Sequence, residues 1–70
     1  MYQVRSEVTG SVWKVEASVG QRVDEGDTLL VVESMKMEIP VTAPVAGVVR
    51  ELMVLEGDAV ADDQLLVVLG

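Results

Sequence analysis

The chain has 70 residues, of which 50% are hydrophobic, a formal net charge of −7 at pH 7, and neither cysteine nor histidine. The absence of cysteine and histidine excludes a disulfide framework and a thiolate or imidazole metal site. The negative charge argues against nucleic-acid binding, because phosphates bind clustered lysine and arginine. With no apolar run near the roughly 18 residues of a membrane span and no signal-peptide pattern, we expect one small domain, residues 1–70, in the cytoplasm.

Nearly the whole chain is predicted to form β-strands. Valine and isoleucine favour a half-buried sheet, and no stretch keeps the helical period of about 3.6 residues. Short apolar stretches separated by turn residues are typical of a small sandwich or barrel. In chain order, the predicted strands are Val12–Val15, Thr28–Val32, Met37–Val41, Val48–Val54 and Leu65–Leu69. The predicted turns are Thr9–Gly10, Val19–Gly20, Asp24–Asp27, Pro40–Pro44, Glu56–Asp58 and Ala61–Asp63.

An internal repeat indicates how these strands are arranged. A shift of 37 residues places the segment 10–32 on the segment 47–69, with glycine on glycine and apolar residue on apolar residue along most of their length. Neither copy can bury its apolar face alone, so we expect the two copies to pack about a pseudo-two-fold axis. The connection, residues 33–46, must turn back between the two halves and is predicted to form a hairpin.

Lys36 lies at the expected tip of this hairpin, in the sequence Glu-Ser-Met-Lys-Met-Glu-Ile-Pro. The chain has only one other lysine, Lys14, which we expect to be an exposed strand residue that remains unmodified. A lysine set apart in this way is more typical of an attachment point than of general surface charge. Because an ordinary lysine is protonated at neutral pH and is a poor nucleophile unaided, its modification needs a separate enzyme.

The turn itself is predicted to have an unusual backbone. If Met35 and Lys36 are its two central residues, Ser34 faces Met37 across the hairpin. Two-residue hairpins prefer turns with positive φ at both central residues, which glycine or asparagine adopts more easily than methionine or lysine. We therefore predict positive φ at Met35 and Lys36, retained for function.

The residues beside the turn also have simpler explanations. Met35 and Met37 could fill gaps near a strand end, but at an exposed tip they favour a docking surface for another protein. Glu33 and Glu38 are expected to face each other, to repel modestly and to extend into solvent.

The two aromatic residues, Tyr2 and Trp13, are expected to pack in the core or along a sheet edge. An aromatic content of 3% argues against a stacking platform for bases. Pro40 and Pro44 are expected to bracket an extended connection and to protect an edge, because proline is excluded from central ladder positions.

The features that carry a family resemblance are the two-copy β domain, the motif at 35–37, the Gly-Asp turns at 25–27 and 56–58, and the sequence Ala-Pro-Val-Ala-Gly at 43–47. In these features the chain resembles the biotinyl (biotin carboxyl carrier) domains of the biotin/lipoyl attachment family. The resemblance covers the whole chain and is to the free-standing, single-domain type without a protruding thumb. It implies an all-β, flattened barrel-sandwich of two four-stranded antiparallel sheets, with the lysine on a β-hairpin and both termini at the other end.

The resemblance also implies a non-catalytic carrier. A biotin protein ligase would attach biotin covalently to Lys36, and the domain would carry carboxyl groups between the biotin carboxylase and carboxyltransferase subunits of an acyl-CoA or 2-oxo acid carboxylase. It implies that Met35 and Met37 matter more for the carboxylase sites than for biotinylation. The remaining candidates for recognition by the ligase or a partner are Glu33, Ser34 and Glu38.

Two other functions stay open. A lipoyl carrier domain of a 2-oxo acid dehydrogenase-type complex has the same fold, although lipoyl domains typically have Asp-Lys-Ala where this chain has Met-Lys-Met. The other is an unmodified interaction module, or a small enzyme that uses Ser34 and Lys36. For an enzyme, the sequence shows no oxyanion hole and no further general base.

Overall fold

The computed structural model describes residues 1–70 and consists of β-strands and turns, without a helix. The strands are β1 (Tyr2–Arg5), β2 (Gly10–Val15), β3 (Arg22–Val23), β4 (Thr28–Ser34), β5 (Met37–Thr42), β6 (Gly47–Leu52), β7 (Ala59–Val60) and β8 (Leu65–Leu69). They form two four-stranded sheets with the orders β1-β8-β6-β3 and β5-β4-β2-β7, and all pairings are antiparallel. We call the second one the hairpin sheet. The structure therefore contains no helix that could span a membrane.

Backbone hydrogen bonds repeat between the two halves at the predicted shift of 37 residues. The Gly20 amide donates to the Val49 carbonyl at 2.8 Å, and the Gly57 amide donates to the Val12 carbonyl at 2.8 Å. Each two-residue strand, β3 or β7, joins the sheet that is formed mainly by the other half. The two halves therefore interlock about a pseudo-two-fold axis, and the predicted sandwich is confirmed.

The core between the sheets is aliphatic. Of 17 buried residues, Ser6 is the only polar one, and its hydroxyl donates to the Val8 carbonyl at 2.6 Å. The interior strands β4 and β8 supply eight of the 17 buried residues, including Leu29 and Leu66, which are equivalent under the repeat and have no exposed surface. Burial of these large aliphatic groups, each contributing about 1.5–3 kcal/mol, is the main source of stability in a domain without disulfides or metals.

Three strands were not predicted from the sequence. β3 and β7 have two residues each, which is too short for a recognisable apolar pattern. β1 lies at a sheet edge and has one buried residue, Val4, so its sequence shows no apolar stretch. The turn predicted at Pro40–Pro44 is wrong in its first half, since β5 continues to Thr42. Proline is tolerated there because β5 is also an edge strand.

The two aromatic residues lie differently from each other. Tyr2 lies on the edge strand β1, as expected. Trp13 was expected in the core or at an edge, but it is 51% exposed on β2, an interior strand of the hairpin sheet. Trp13 follows the buried Val12 and faces away from the core, as the alternation of a strand requires. A β-bulge between Val12 and Lys14 then leaves Lys14 exposed as well.

Candidate functional site

A two-residue turn joins β4 to β5, and its central residues are Met35 and Lys36. Their φ angles are 52° and 64°, and Ser34 pairs with Met37. The predicted positive φ angles and the predicted register are therefore confirmed. The left-handed conformation costs about 1–2 kcal/mol for a residue that is neither glycine nor asparagine. This energetic cost occurs at two adjacent positions, Met35 and Lys36, which indicates that these side chains are retained for function rather than for the stability of the turn.

The tip of the hairpin, Met35 and Lys36, is open to solvent together with Met37. The exposed fraction is 92% for Met35 and 64% for Met37, and Lys36 is exposed as well. No other part of the fold covers the two methionines, whose flexible thioether side chains adapt to varied apolar surfaces. The tip can therefore present a primary amine between two apolar contacts to another protein.

Two carboxylates lie beside the tip. Glu33 on β4 pairs with Glu38 on β5, as the register predicted, and both side chains are exposed. Their exposure agrees with the expectation that they extend into solvent. They give the hairpin a local negative charge, and their part in recognition stays a prediction.

Ser34 differs from these neighbours because it is only partly exposed and its hydroxyl is engaged within the domain. The Ser34 Oγ donates a hydrogen bond to the Thr9 carbonyl oxygen at 2.8 Å. Thr9 lies in the connection between β1 and β2, and the contact exists because β2 pairs with β4. No feature of the sequence indicates this contact. The Ser34 hydroxyl is therefore directed at the backbone rather than at the Lys36 amine.

The second lysine has a different setting. Lys14 lies within β2, next to Val31 on β4, and its equivalent in the other half is Glu51. Lys14 is exposed, as predicted, but no turn projects it from the sheet. That it remains unmodified is still a prediction.

The chain termini occupy the place in the other sheet that corresponds to the hairpin. Tyr2 pairs with Leu69, and under the shift of 37 residues this pair is equivalent to Val32 and Ile39 at the hairpin. The lysine-bearing turn therefore joins one strand pair, and the two termini lie at the ends of the equivalent strand pair in the other sheet. A groove of about 520 Å³ lies between the edge strands β1 and β5, and Lys36 is not among its lining residues.

Comparison with known proteins places this geometry in a family context. The family model described as "Biotin-requiring enzyme" matches residues 3–69. A "Biotinylated protein TB7.3 homolog" of Mycobacterium leprae is 46% identical over 66 residues, which cover 94% of this chain and 93% of the relative. A "Biotin/lipoyl attachment protein" of Bacillus subtilis is 38% identical over 63 residues, which cover 90% of this chain and 86% of the relative.

Among solved structures, the crystal structure of the Kluyveromyces lactis urea carboxylase contains a similar domain. It matches with a TM-score of 0.94 and 36% sequence identity. The match covers 99% of this chain but 6% of that chain, so the similarity is to one small part of a much larger protein.

Proposed function

The chain belongs to the biotin/lipoyl attachment family, whose members are carrier domains rather than catalysts, and from this premise we propose that Lys36 carries a covalently bound biotin. The observation that carries the proposal is the exposed Lys36 on a two-residue turn with positive φ, between two exposed methionines. The Mycobacterium leprae relative, which is named as a biotinylated protein, supports biotin as the attached group. We take residues 1–70 as a single carrier domain and the cytoplasm as its expected compartment.

The chemistry asked of this chain is small. A biotin protein ligase would activate the biotin carboxyl group with ATP as biotinyl-AMP, releasing pyrophosphate. The deprotonated Lys36 amine would attack the acyl carbon, the bond from this carbon to the phosphate oxygen would break, AMP would leave, and the amide would form with loss of a proton to solvent and of the positive charge of the lysine. When bound, biotin supplies a ureido nitrogen that takes up and releases a carboxyl group. The residues fit such a group because the Lys36 side chain is exposed at a turn, where an amide-linked arm has room on all sides.

The contribution of the protein is placement. The hairpin holds Lys36 away from the body of the sandwich, and tethering replaces a bimolecular encounter by a local concentration that reaches the mM range for short tethers. We propose that Met35 and Met37 contact the biotin carboxylase and carboxyltransferase subunits of a partner enzyme, because both are exposed and adaptable. The substrate of that enzyme is expected to be an acyl-CoA or a 2-oxo acid.

A lipoyl carrier is the second candidate, and the name of the Bacillus subtilis relative includes both groups. The two are separated by co-expressing the chain with a biotin protein ligase and a lipoate ligase and measuring its intact mass. We expect a gain of about 226 Da for biotin, whereas a gain of about 188 Da, for lipoate, would contradict the proposal.

The proposed partners are tested by a pull-down from cells that naturally produce the protein. The biotinylated chain is the bait, and Lys36→Arg, which keeps the charge but offers no amine for amide formation, is the matched control. We expect biotin carboxylase and carboxyltransferase subunits to be enriched with the biotinylated bait. Enrichment of 2-oxo acid dehydrogenase subunits instead would contradict the assignment.

A further inference from the structure

The base of the hairpin is held by contacts that a simple exposed attachment point does not need. We call Thr9, Gly10 and Ser34 the hairpin clamp. The Ser34 hydroxyl donates to the Thr9 carbonyl at 2.8 Å. Ser11, the second residue of β2, pairs with Glu33 at the base of the hairpin. The connection between β1 and β2 therefore lies directly against the strand that leads to Lys36.

Gly10 permits this close approach. A Cβ atom at this position would overlap the Glu33 carbonyl oxygen and would lie 3.1 Å from Cγ1 of Val32. The φ angle of Gly10 is not in the left-handed region, so the position requires glycine for space rather than for conformation. Any larger residue would have to displace the base of the hairpin.

Thr9 connects the hairpin to the second half of the domain. Its carbonyl accepts the bond from Ser34, and its side-chain hydroxyl accepts a bond from the Asp62 amide at 3.2 Å. Asp62 lies in the turn between β7 and β8. The hairpin is therefore tied to both halves of the pseudo-symmetric fold and not only to its own strands.

The equivalent place in the other sheet lacks this arrangement. Under the shift of 37 residues, Gly47 replaces Gly10, and Ala46, which has no hydroxyl group, replaces Thr9. A Cβ at Gly47 would lie 2.9 Å from the carbonyl oxygen of Gly70, which is outside β8 and not part of a hairpin. The side chains of the clamp therefore occur only at the end of the domain that carries the lysine.

We propose that the hairpin clamp fixes the orientation of Lys36 for the ligase, so that Ser34 is a positioning residue rather than a residue that the ligase contacts. The inference rests on the proposed function. If the clamp is broken, only a fraction of the molecules present Lys36 correctly, and the apparent affinity of the ligase falls to that fraction of its wild-type value. The KM for the chain then rises while kcat stays unchanged.

The test uses the full chain as the substrate of a biotin protein ligase with biotin and ATP. Ser34→Ala is expected to raise the KM about two- to tenfold, the range that corresponds to one hydrogen bond, with kcat unchanged. Ser34→Thr restores the hydroxyl group and is expected to return the KM to the wild-type value. Ser11→Ala is the matched control, because Ser11 is also partly buried on the neighbouring strand and makes no side-chain hydrogen bond.

A second measurement does not depend on the ligase. In the free chain, the backbone order parameters of the Met35 and Lys36 amides are expected to fall in Ser34→Ala and not in Ser11→Ala. If the wild type accepts no biotin, the proposed function fails while this measurement still reports on the clamp. Unchanged order parameters in Ser34→Ala, or a raised KM that Ser34→Thr does not restore, would overturn the proposal.

The pair Gly10→Ala and Gly47→Ala provides an independent comparison at equivalent positions. Both variants are checked for a native circular dichroism spectrum before kinetics. Gly10→Ala is expected to raise the KM more than Ser34→Ala does, since it displaces the hairpin base itself, and Gly47→Ala is expected to leave the KM within twofold of the wild type. Equal effects of the two glycine substitutions on KM would contradict a clamp that acts on the hairpin alone.

Discussion

Replacement of Met35 by asparagine is expected to stabilise the domain and to impair it as a carrier. Met35 has a φ of 52°, and this conformation costs about 1–2 kcal/mol for most residues but less for asparagine, which two-residue hairpin turns prefer. Because Met35 is 92% exposed, its loss removes almost no packing within the domain. We therefore expect Met35→Asn to raise the free energy of unfolding by about 1 kcal/mol.

The assay is thermal denaturation followed by circular dichroism. For a domain of this size, about 1 kcal/mol corresponds to a rise in melting temperature of roughly 4–8 °C. Met53→Asn is the matched control, because Met53 is 50% exposed and does not have a positive φ. It is expected to give no gain. No rise for Met35→Asn, or an equal rise for Met53→Asn, would refute the reasoning that the turn stores strain at Met35.

Met35→Asn is also expected to affect the two reactions differently, namely biotinylation by the ligase and carboxyl transfer by the partner enzyme. Met35→Asn keeps Lys36 and the turn, so biotinylation is expected to proceed at nearly the wild-type rate. Carboxyl transfer by the partner enzyme is expected to slow, because the apolar contact next to the attachment point is lost. A gain in stability together with a loss in function is the pattern expected where strain is retained for function.

Two further predictions concern the fold. Leu66→Ala removes a side chain with no exposed surface and is expected to lower the free energy of unfolding by about 2–5 kcal/mol in urea denaturation; an unchanged unfolding midpoint would contradict its place in the core. Gly57→Ala and Gly20→Ala are expected to cost about 1–2 kcal/mol each, and nearly the same amount, because φ is 93° and 91° and an added Cβ would meet no atom within 4 Å. Clearly unequal losses would contradict the equivalence of the two halves.

The hairpin was predictable because the internal repeat gives its place in the chain and the local residues give its turn. The internal repeat requires residues 33–46 to turn back, and a turn centred on Met35 and Lys36 fixes both the pairing of Ser34 with Met37 and the positive φ angles. The core was predictable for a similar reason, since the shift of 37 residues places apolar residues of one half on those of the other.

Contacts that depend on tertiary placement were not predictable. The Ser34 hydroxyl meets the Thr9 carbonyl only because β2 and β4 are neighbours in the hairpin sheet, and nothing in the local sequence marks Thr9 as its partner. The consecutive residues Trp13 and Lys14 are both exposed because a bulge between Val12 and Lys14 interrupts the alternation of β2, and nothing in the sequence marks a bulge of one residue.

The central claim is that Lys36 is the single attachment site for biotin. The most direct measurement is tandem mass spectrometry of the chain after reaction with a biotin protein ligase, biotin and ATP, beside the variants Lys36→Arg and Lys14→Arg. We expect one added mass of about 226 Da on the wild type and on Lys14→Arg, localised by fragment ions to Lys36, and no added mass on Lys36→Arg. Biotin found on Lys14, or labelling of Lys36→Arg, would contradict the claim.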